Sequence, residues 1–161
     1  MTLALPVAVG IVEYKQKILM IKRFRGDYQG YLALPGGKIE NSEHVKNAML
    51  RELKEESTLE CKFGSFLGLV SEIFRNSAGE VKHFLLNVCK VFSKSPDFVS
   101  QQEGELDWYS MNRIKELKEQ IIPSDYQILK AFHLNPPTHS YYECFIQQTK
   151  EEYMIKKFLE V

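Results

Sequence analysis

Apolar and polar positions along the chain follow two kinds of spacing, one typical of strands and one typical of helices. Short runs rich in valine, isoleucine and leucine, bounded by polar or glycine-containing turns, predict β-strands. The predicted strands are 5–13, 17–24, 31–34, 63–74, 81–92, 141–147 and 153–161. The predicted helices are 43–56, 111–119 and 123–132. Because strands and helices are interleaved in this way, the sequence predicts an α/β layered domain.

Two further segments interrupt the predicted elements. Residues 101–105 are polar and are predicted to be a loop. Residues 135–137, Asn-Pro-Pro, are predicted to break the chain. We therefore predict one domain over 1–134 and a C-terminal extension over 135–161. The extension is predicted to form two strands resembling a β-hairpin, with a helix starting at Lys150 as the alternative.

The C-terminal extension is rich in aromatic and aliphatic residues, and neither of its strands holds a cluster of acids or histidines suited to chemistry. An isolated hairpin is only marginally stable in water, so we expect the extension to dock. It would either cover an edge of its own domain's sheet or pair across a two-fold axis and build a homodimer.

Length and charge narrow the classes of protein. The chain has 161 residues, about one domain, and is 44% hydrophobic, enough to bury a core. Twenty-one basic and twenty-one acidic residues cancel. A neutral balance gives no broad field for a nucleic acid polymer or an anionic membrane. We therefore expect neither as a partner, and any site for an anion must be local.

Apolar runs and cysteines bear on the location of the protein. No run approaches the ~20 residues needed to span a bilayer. Residues 1–12 are apolar but lack a basic leader and a small-residue cleavage site, so they are predicted to be a first strand. Cys61, Cys89 and Cys144 are widely spaced and odd in number. This pattern favours buried free thiols in a reducing compartment, and a cytoplasmic location is expected.

The most informative segment is 37–59, which reads GKIENSEHVKNAMLRELKEESTL. One face of its predicted helix is apolar at the start and should pack on the sheet. The apolar residues of this face are Val45, Ala48 and Met49. One turn later, Glu52 and Glu56 fall on the same side and Glu55 lies at its edge. The face therefore changes from apolar to acidic along the helix.

This acidic cluster breaks three local rules. Like charges three and four residues apart repel by a few tenths of a kcal/mol. Acids near a helix C-terminus oppose the macrodipole, and a partly buried carboxylate without a partner costs more. A hard divalent cation such as Mg²⁺ would resolve all three violations.

The alternative is a solvated face on which Arg51 and Lys54 are local partners. Arg51 precedes Glu55 by four residues and so can hold that carboxylate, although such a pair is also common on ordinary surfaces.

The same segment resembles the Nudix box. That pattern is Gly, five residues, Glu, seven residues, then Arg-Glu-apolar-x-Glu-Glu-x-Gly-apolar. The matching residues are Gly37, Glu43, Arg51, Glu52, Leu53, Glu55, Glu56 and Leu59. Thr58 departs from the pattern, which has glycine there. Glycine would end the helix in a left-handed conformation that a β-branched residue resists, so we expect a different helix terminus with the acids intact.

The resemblance implies an α/β/α sandwich around a mixed β-sheet and a divalent metal, Mg²⁺ or alternatively Mn²⁺. Glu52, Glu55, Glu56 and the carbonyl of Gly37 would surround it, and the metal would clamp diphosphate oxygens and activate water for in-line attack on phosphorus. In MutT-like members the general base is the glutamate that matches Glu52. Elsewhere in the family a later loop acid takes this role, for which Glu103 is the candidate here. The predicted catalytic residues are Glu52, Arg51 and Glu103.

Three further residues are expected to contact the substrate. Arg23 matches a MutT arginine that contacts the nucleotide, and it cannot face inward together with Lys22 because successive side chains of a strand alternate. Asp125 lies where MutT-like proteins place a base-reading side chain. Phe74 is a candidate for stacking on the base, as is Trp108. The alternatives are a surface charge for Arg23, a plain helix acid for Asp125 and core positions for the two aromatic residues.

Segments 8–11 and 36–40 also resemble the MutT-like branch. The implied reaction is hydrolysis of a nucleoside triphosphate, such as an oxidised purine dNTP like 8-oxo-dGTP, to a nucleoside monophosphate and pyrophosphate. Hydrolysis of another nucleoside diphosphate derivative, such as ADP-ribose or a nucleotide sugar, is one alternative. A non-catalytic nucleotide-binding module on the same scaffold is the other.

Overall fold

The computed structural model describes residues 3–99, 104–135 and 141–161. The strands in these ranges are β1 (Leu5–Tyr14), β2 (Lys17–Arg23), β3 (Leu32–Ala33), β4 (Gly36–Lys38), β5 (Cys61–Arg75), β6 (Val81–Ser93), β7 (Gly104–Ser110), β8 (Tyr141–Gln148) and β9 (Tyr153–Glu160). The helices are α1 (Val45–Ser57), α2 (Met111–Glu116) and α3 (Pro123–Ile128). A 3₁₀ turn, Lys118–Gln120, follows α2, and a π-helical turn, Leu129–Leu134, continues α3. Glu103, the candidate loop acid, lies outside the described residues.

The nine strands of the described ranges form one sheet. Its main path runs β3-β2-β1-β6-β5-β8-β9, with β4 paired to β1 and β7 paired to β2. The pairs β1–β6 and β5–β8 are parallel, whereas the other pairs are antiparallel. The mixed sheet expected from the sequence is therefore confirmed.

Helical segments pack on both faces of this sheet. Met49 of α1 lies so close to Gly10 that a Cβ atom on the glycine would stand 3.0 Å from its Cε. His133, in the turn that continues α3, interacts electrostatically with Lys90. Lys90 pairs with Ile11, the residue after Gly10. Because side chains alternate along a strand, the Lys90 side chain lies on the face opposite the one that Met49 contacts. The arrangement is the α/β/α sandwich that the resemblance implied.

The prediction of a loop over 101–105 is wrong from residue 104 onward. Gly104 begins β7, which pairs antiparallel with β2 along its whole length. Gly104 and Leu106 are buried, whereas Glu105 and Asp107 between them are exposed. This alternation is typical of a strand with one buried face, but the two acids made the segment look like a loop.

Helix α1 begins at Val45, two residues later than predicted. Glu43 therefore lies before the helix, and its carboxylate accepts the Glu40 N–H at 3.0 Å. The helix ends at Thr58, whose backbone is left-handed with φ 60° and whose N–H donates to the Lys54 carbonyl. The expectation of a different terminus is wrong, because Thr58 adopts the conformation that glycine would favour.

The C-terminal extension forms the predicted pair of strands, and the alternative of a helix from Lys150 is wrong. β8 pairs parallel with β5 from Tyr141 to Gln147, and β9 pairs antiparallel with β8. The hairpin thus extends the sheet of its own chain, and β9 is the last strand on that side. This is the edge-covering arrangement, and it leaves the homodimer a prediction.

Two smaller expectations concern membranes and thiols. Across the described ranges, no helix is long and apolar enough to cross a membrane. All three cysteines are free, and Cys89 and Cys144 are buried while Cys61 is half-buried. Burial raises the pKa of the Cys89 thiol to about 12, so this thiol stays protonated and unreactive at neutral pH.

Candidate functional site

A groove of about 620 Å³ opens between β1, β4 and the loop 24–30. Its volume lies in the range of small-molecule sites. The groove brings together Gly37, Glu52, Arg23 and Asp125, which come from four separate parts of the chain. Leu34 and Gly36 also line a smaller neighbouring cavity of about 170 Å³, together with Arg23, Arg25 and Glu56. Five of the residues predicted from the sequence therefore line one continuous region.

The carboxylate of Glu52 lies directly against the backbone of Gly37. A Cβ atom on Gly37 would stand 2.3 Å from the Cδ of Glu52, far inside the contact distance. Local pairing explains this proximity, since β4 pairs with β1 and places Gly37 opposite Ala8. α1 crosses the same strand, because Met49 packs on Gly10. The glycine therefore leaves room for a carboxylate beside its carbonyl group.

Arg51 joins the acidic residues of this region to each other. Its guanidinium donates two bonds to Glu43, Nε to Oε1 at 2.9 Å and Nη2 to Oε2 at 3.0 Å. Nη1 donates to Glu52 at 2.8 Å and to Glu55 at 3.2 Å, and Nη2 also donates to the Lys38 carbonyl at 3.0 Å. The hydrogen bond from Arg51 is the largest cause that lowers the pKa of Glu43. The predicted pair with Glu55 is confirmed, and Arg51 also ties α1 to β4.

The three candidate metal ligands differ in exposure. The Glu52 side chain is 14% exposed and the Glu55 side chain 60%, whereas Glu56 is buried in the smaller cavity. Within the described ranges, no three acidic, histidine or cysteine side chains stand close enough to share one ion. The donors nevertheless fit a hard divalent cation in kind, because carboxylate and carbonyl oxygens are its preferred ligands and the glycine at 37 leaves its backbone open.

Asp125 has a structural contact that the sequence did not indicate. Its Oδ2 accepts the backbone N–H of Leu34 at 2.8 Å. Leu34 leads through Pro35 into β4, so Asp125 fixes the segment that carries Gly37. Burial raises the pKa of Asp125 to about 7, and the residue forms part of the groove wall.

Glu72 is a groove residue that sequence reasoning missed. It lies in β5, is 3% exposed, and its Oε2 has no hydrogen-bond partner. Burial raises the pKa of Glu72 to about 7, and a hydrogen bond from the Ser124 side chain opposes that rise. The available signal was the strand pattern, because Val70, Glu72 and Phe74 share one buried face and only Glu72 is charged.

The remaining substrate candidates are one groove residue, Arg23, one core residue, Phe74, and one half-buried residue, Trp108. Arg23 lines both cavities, whereas Lys22 is exposed, as expected if only one of them enters the cleft. Phe74 is fully buried, with its ring centroid 5.3 Å from that of Tyr28. Trp108 packs on Tyr14 and donates its indole N–H to a backbone carbonyl. Core positions were the alternative for both rings. Two aromatic residues line the groove, Tyr28 and Phe84, and the sequence singled out neither of them as a substrate contact.

Comparisons with known proteins agree with this geometry. Residues 4–132 match the family model of the NUDIX domain, and the chain therefore belongs to the Nudix family. An ADP-ribose pyrophosphatase of Methanocaldococcus jannaschii is 37% identical over 110 residues, which are 67% of this chain and 63% of that protein. The match thus spans less than two thirds of the archaeal relative.

A second relative and a solved structure extend the comparison. A CTP pyrophosphohydrolase of Escherichia coli is 30% identical over 131 residues, covering 78% of this chain and 89% of the relative. The crystal structure of a MutT protein from Bacillus halodurans has a TM-score of 0.76 at 21% identity and covers 96% of both chains. At this identity the structural match shows a shared fold. The two relatives carry different substrates in their names.

Proposed function

We propose that this chain hydrolyses the diphosphate linkage of a nucleoside triphosphate to a nucleoside monophosphate and pyrophosphate, with Mg²⁺ or Mn²⁺ as cofactor. The observation that carries the proposal is the contact between the Glu52 carboxylate and Gly37 at the groove wall. Nudix hydrolases generally need a divalent metal. Here Glu52, Glu55, Glu56 and the Gly37 carbonyl would provide the ligands, shared among one or more such ions.

When bound, the cation supplies positive charge that offsets the charge developing on the diphosphate oxygens. Glu52 would accept the proton of the attacking water, and Glu103 is the alternative base. Arg51 holds the Glu52 carboxylate through its bond of 2.8 Å and so fixes its orientation. Arg23, at the junction of the two cavities, would bind phosphate oxygens of the substrate.

Another part of the groove lining suits a nucleobase. Asp125 and Glu72 offer polar groups there, and Tyr28 presents an aromatic side chain beside them. The groove volume of about 620 Å³ accommodates a nucleotide. These features support base recognition by Asp125, which the sequence also suggested. Hydrolysis of ADP-ribose is the second candidate, supported by the name of the 37% identical archaeal relative.

A panel of nucleotides tests the proposal. The full chain would be incubated with 8-oxo-dGTP, dGTP, CTP, ATP and ADP-ribose in the presence of Mg²⁺ or Mn²⁺, and products would be separated by anion-exchange chromatography. Release of pyrophosphate with a nucleoside monophosphate supports the main proposal. Preferential cleavage of ADP-ribose supports the second candidate. Binding of nucleotides without any turnover would leave a non-catalytic binding module.

The location and assembly of the protein are further proposals. Free cysteines support a reducing compartment, and we retain the cytoplasm as the expected location. We expect a small-molecule nucleotide as the partner, and neither a membrane nor a nucleic acid polymer. A homodimer remains an alternative for the outer strand of the hairpin, and light scattering of the full chain would distinguish a monomer from a dimer.

A further inference from the structure

The peptide group between Asp27 and Tyr28 is held from both sides. Its carbonyl oxygen accepts a hydrogen bond from Nε of Arg23 at 3.0 Å. Its N–H donates to the hydroxyl oxygen of Tyr153 at 3.0 Å. One planar unit therefore connects a tyrosine of the C-terminal hairpin to the groove arginine. A rotation of this unit would move both of its hydrogen-bonding groups together.

The backbone around this peptide group needs such support. Tyr28 has a positive φ of 61°, which is unfavourable for a residue with a bulky side chain. The ends of the loop are closed by backbone bonds, from the Arg23 N–H to Tyr31 and from the Gly30 N–H to Arg23. These bonds do not involve the peptide group between Asp27 and Tyr28. Its orientation depends on Arg23 on one side and on Tyr153 on the other.

The ring of Tyr153 is itself fixed against this loop. Its centroid lies 4.4 Å from that of Tyr28 and 5.2 Å from that of Tyr31. Its hydroxyl also accepts a bond from the Gln148 side chain at 3.3 Å. Gln148 pairs with Tyr153 across the β8–β9 hairpin. The hairpin therefore delivers a hydroxyl group whose position is set by both packing and hydrogen bonding.

We propose that Tyr153 is a positioning residue of the substrate site, which sets the orientation of Arg23 through the Asp27–Tyr28 peptide group. This inference rests on the proposed function, because it assigns Arg23 to the phosphates of a nucleotide. Tyr153 lies beyond residues 4–132, the part that matches the family model. The C-terminal extension thus does more than cover the edge of β5: it holds the loop that carries the groove residues Asp27 and Tyr28.

Loss of the Tyr153 hydroxyl would leave the Tyr28 N–H without its acceptor. The peptide group would then keep only its bond to Arg23 and would be oriented less firmly, even though Lys82 still pairs with the Asp27 side chain. The Arg23 guanidinium would thereby lose a fixed acceptor for its Nε. An arginine with more accessible rotamers binds an anion less tightly, because binding must then order it. Glu52 is held by Arg51 through a separate bond, from Nη1 to Oε1 at 2.8 Å. The effect should therefore fall on substrate binding rather than on the chemical step.

The test uses the full chain with Tyr153→Phe, which keeps the ring and removes the hydroxyl. Loss of one hydrogen bond predicts a KM for the preferred nucleotide that is about 3- to 10-fold higher, with kcat within about 2-fold. Tyr141→Phe, in the same hairpin, is the matched control and should leave both constants unchanged. A purely structural role would instead lower the melting temperature and kcat, with KM unchanged.

A double-mutant cycle separates positioning from general damage. In an Arg23→Ala background, Tyr153→Phe should cause no further rise in KM, because the residue that it positions is gone. Additive effects in the double variant, or an unchanged KM in Tyr153→Phe, would overturn the proposal. If the wild-type chain cleaves no nucleotide, the proposed function is refuted, whereas the positioning role of Tyr153 can still be tested. The same double-mutant cycle then uses nucleotide dissociation constants measured by calorimetry in place of KM.

Discussion

Gly37 and Glu52 are in direct contact, and no side chain fits between them. A Cβ atom on Gly37 would lie 2.3 Å from Cδ and 2.4 Å from either carboxylate oxygen of Glu52. The strand residue thus sets the position of the helix residue. This contact links the backbone of β4 to the carboxylate on which the proposed chemistry depends.

Gly37→Ala should therefore displace the Glu52 carboxylate. The backbone at this position has no positive φ, so alanine is tolerated by the strand itself. We expect kcat/KM to fall by ~10²-fold, as for loss of a metal ligand or general base, while the circular dichroism spectrum stays native. Full activity of a folded Gly37→Ala variant would show that the position of Glu52 does not limit the reaction.

Asp125 has two functions that two substitutions can separate. Asp125→Asn keeps an oxygen that accepts the Leu34 N–H, but it changes the groups offered to a base. This variant should alter the ranking of nucleotides with little change in melting temperature. Asp125→Ala removes the acceptor and should lower stability by ~1–3 kcal/mol, since a buried N–H is left unsatisfied. An unchanged ranking in Asp125→Asn would leave Asp125 with the structural role alone.

The buried carboxyl group of Glu72 predicts a stability that falls as pH rises. Burial raises its pKa from 4.5 to about 7. Between these values the folded protein retains a proton that the unfolded chain has lost, so raising the pH favours unfolding. The destabilisation by Glu72 is absent below about pH 4, where the carboxyl group is protonated in both states. It is complete above about pH 7. Asp125, whose pKa burial also raises, contributes in the same direction.

Glu72→Gln should flatten this dependence. Urea unfolding at pH 5 and pH 8 measures the change in the free energy of unfolding with pH. At pH 8 the free energy of unfolding of the variant should exceed that of wild type by up to ~3 kcal/mol. Glu60→Gln, whose side chain is 83% exposed, is the matched control. A wild-type slope in Glu72→Gln would contradict the assignment of the raised pKa to this group.

Thr58 predicts a simple gain in stability. It is exposed and left-handed, with φ 60°, a conformation that costs an L-residue roughly 1–2 kcal/mol. Thr58→Gly should raise the free energy of unfolding by about 1 kcal/mol, because glycine adopts this conformation freely but also loses more entropy on folding. Thr58→Ala keeps the unfavourable backbone and should change stability by less than about 0.5 kcal/mol. Equal effects of the two substitutions would refute this explanation.

Local patterns predicted most of the fold, because the spacing of apolar residues follows the periodicity of strands and helices. They failed where polar residues hid the period, as at Glu105 and Asp107 in β7. They also failed at Thr58, which adopts the left-handed conformation that a β-branched residue resists. The box pattern predicted Glu52 and Arg51, since these residues lie close together in one helix.

Contacts between distant residues were not predictable in this way. Asp125 binds Leu34 across 91 positions, and Tyr153 binds Tyr28 across 125. Neither pair has a spacing that a sequence pattern can reveal. Phe74 shows the opposite case, because its aromatic character suggested a base contact whereas the loop residue Tyr28 covers it and lines the groove instead.

We propose that Glu52 acts as the general base in metal-dependent hydrolysis of a nucleotide. The most direct test is the rate of diphosphate cleavage by Glu52→Gln on the best nucleotide of the panel with Mg²⁺, beside Glu60→Gln as the exposed control. We expect a folded Glu52→Gln variant whose kcat is at least ~10²-fold lower than wild type, and an unchanged rate for Glu60→Gln. A near-normal rate in the folded Glu52→Gln variant would contradict it.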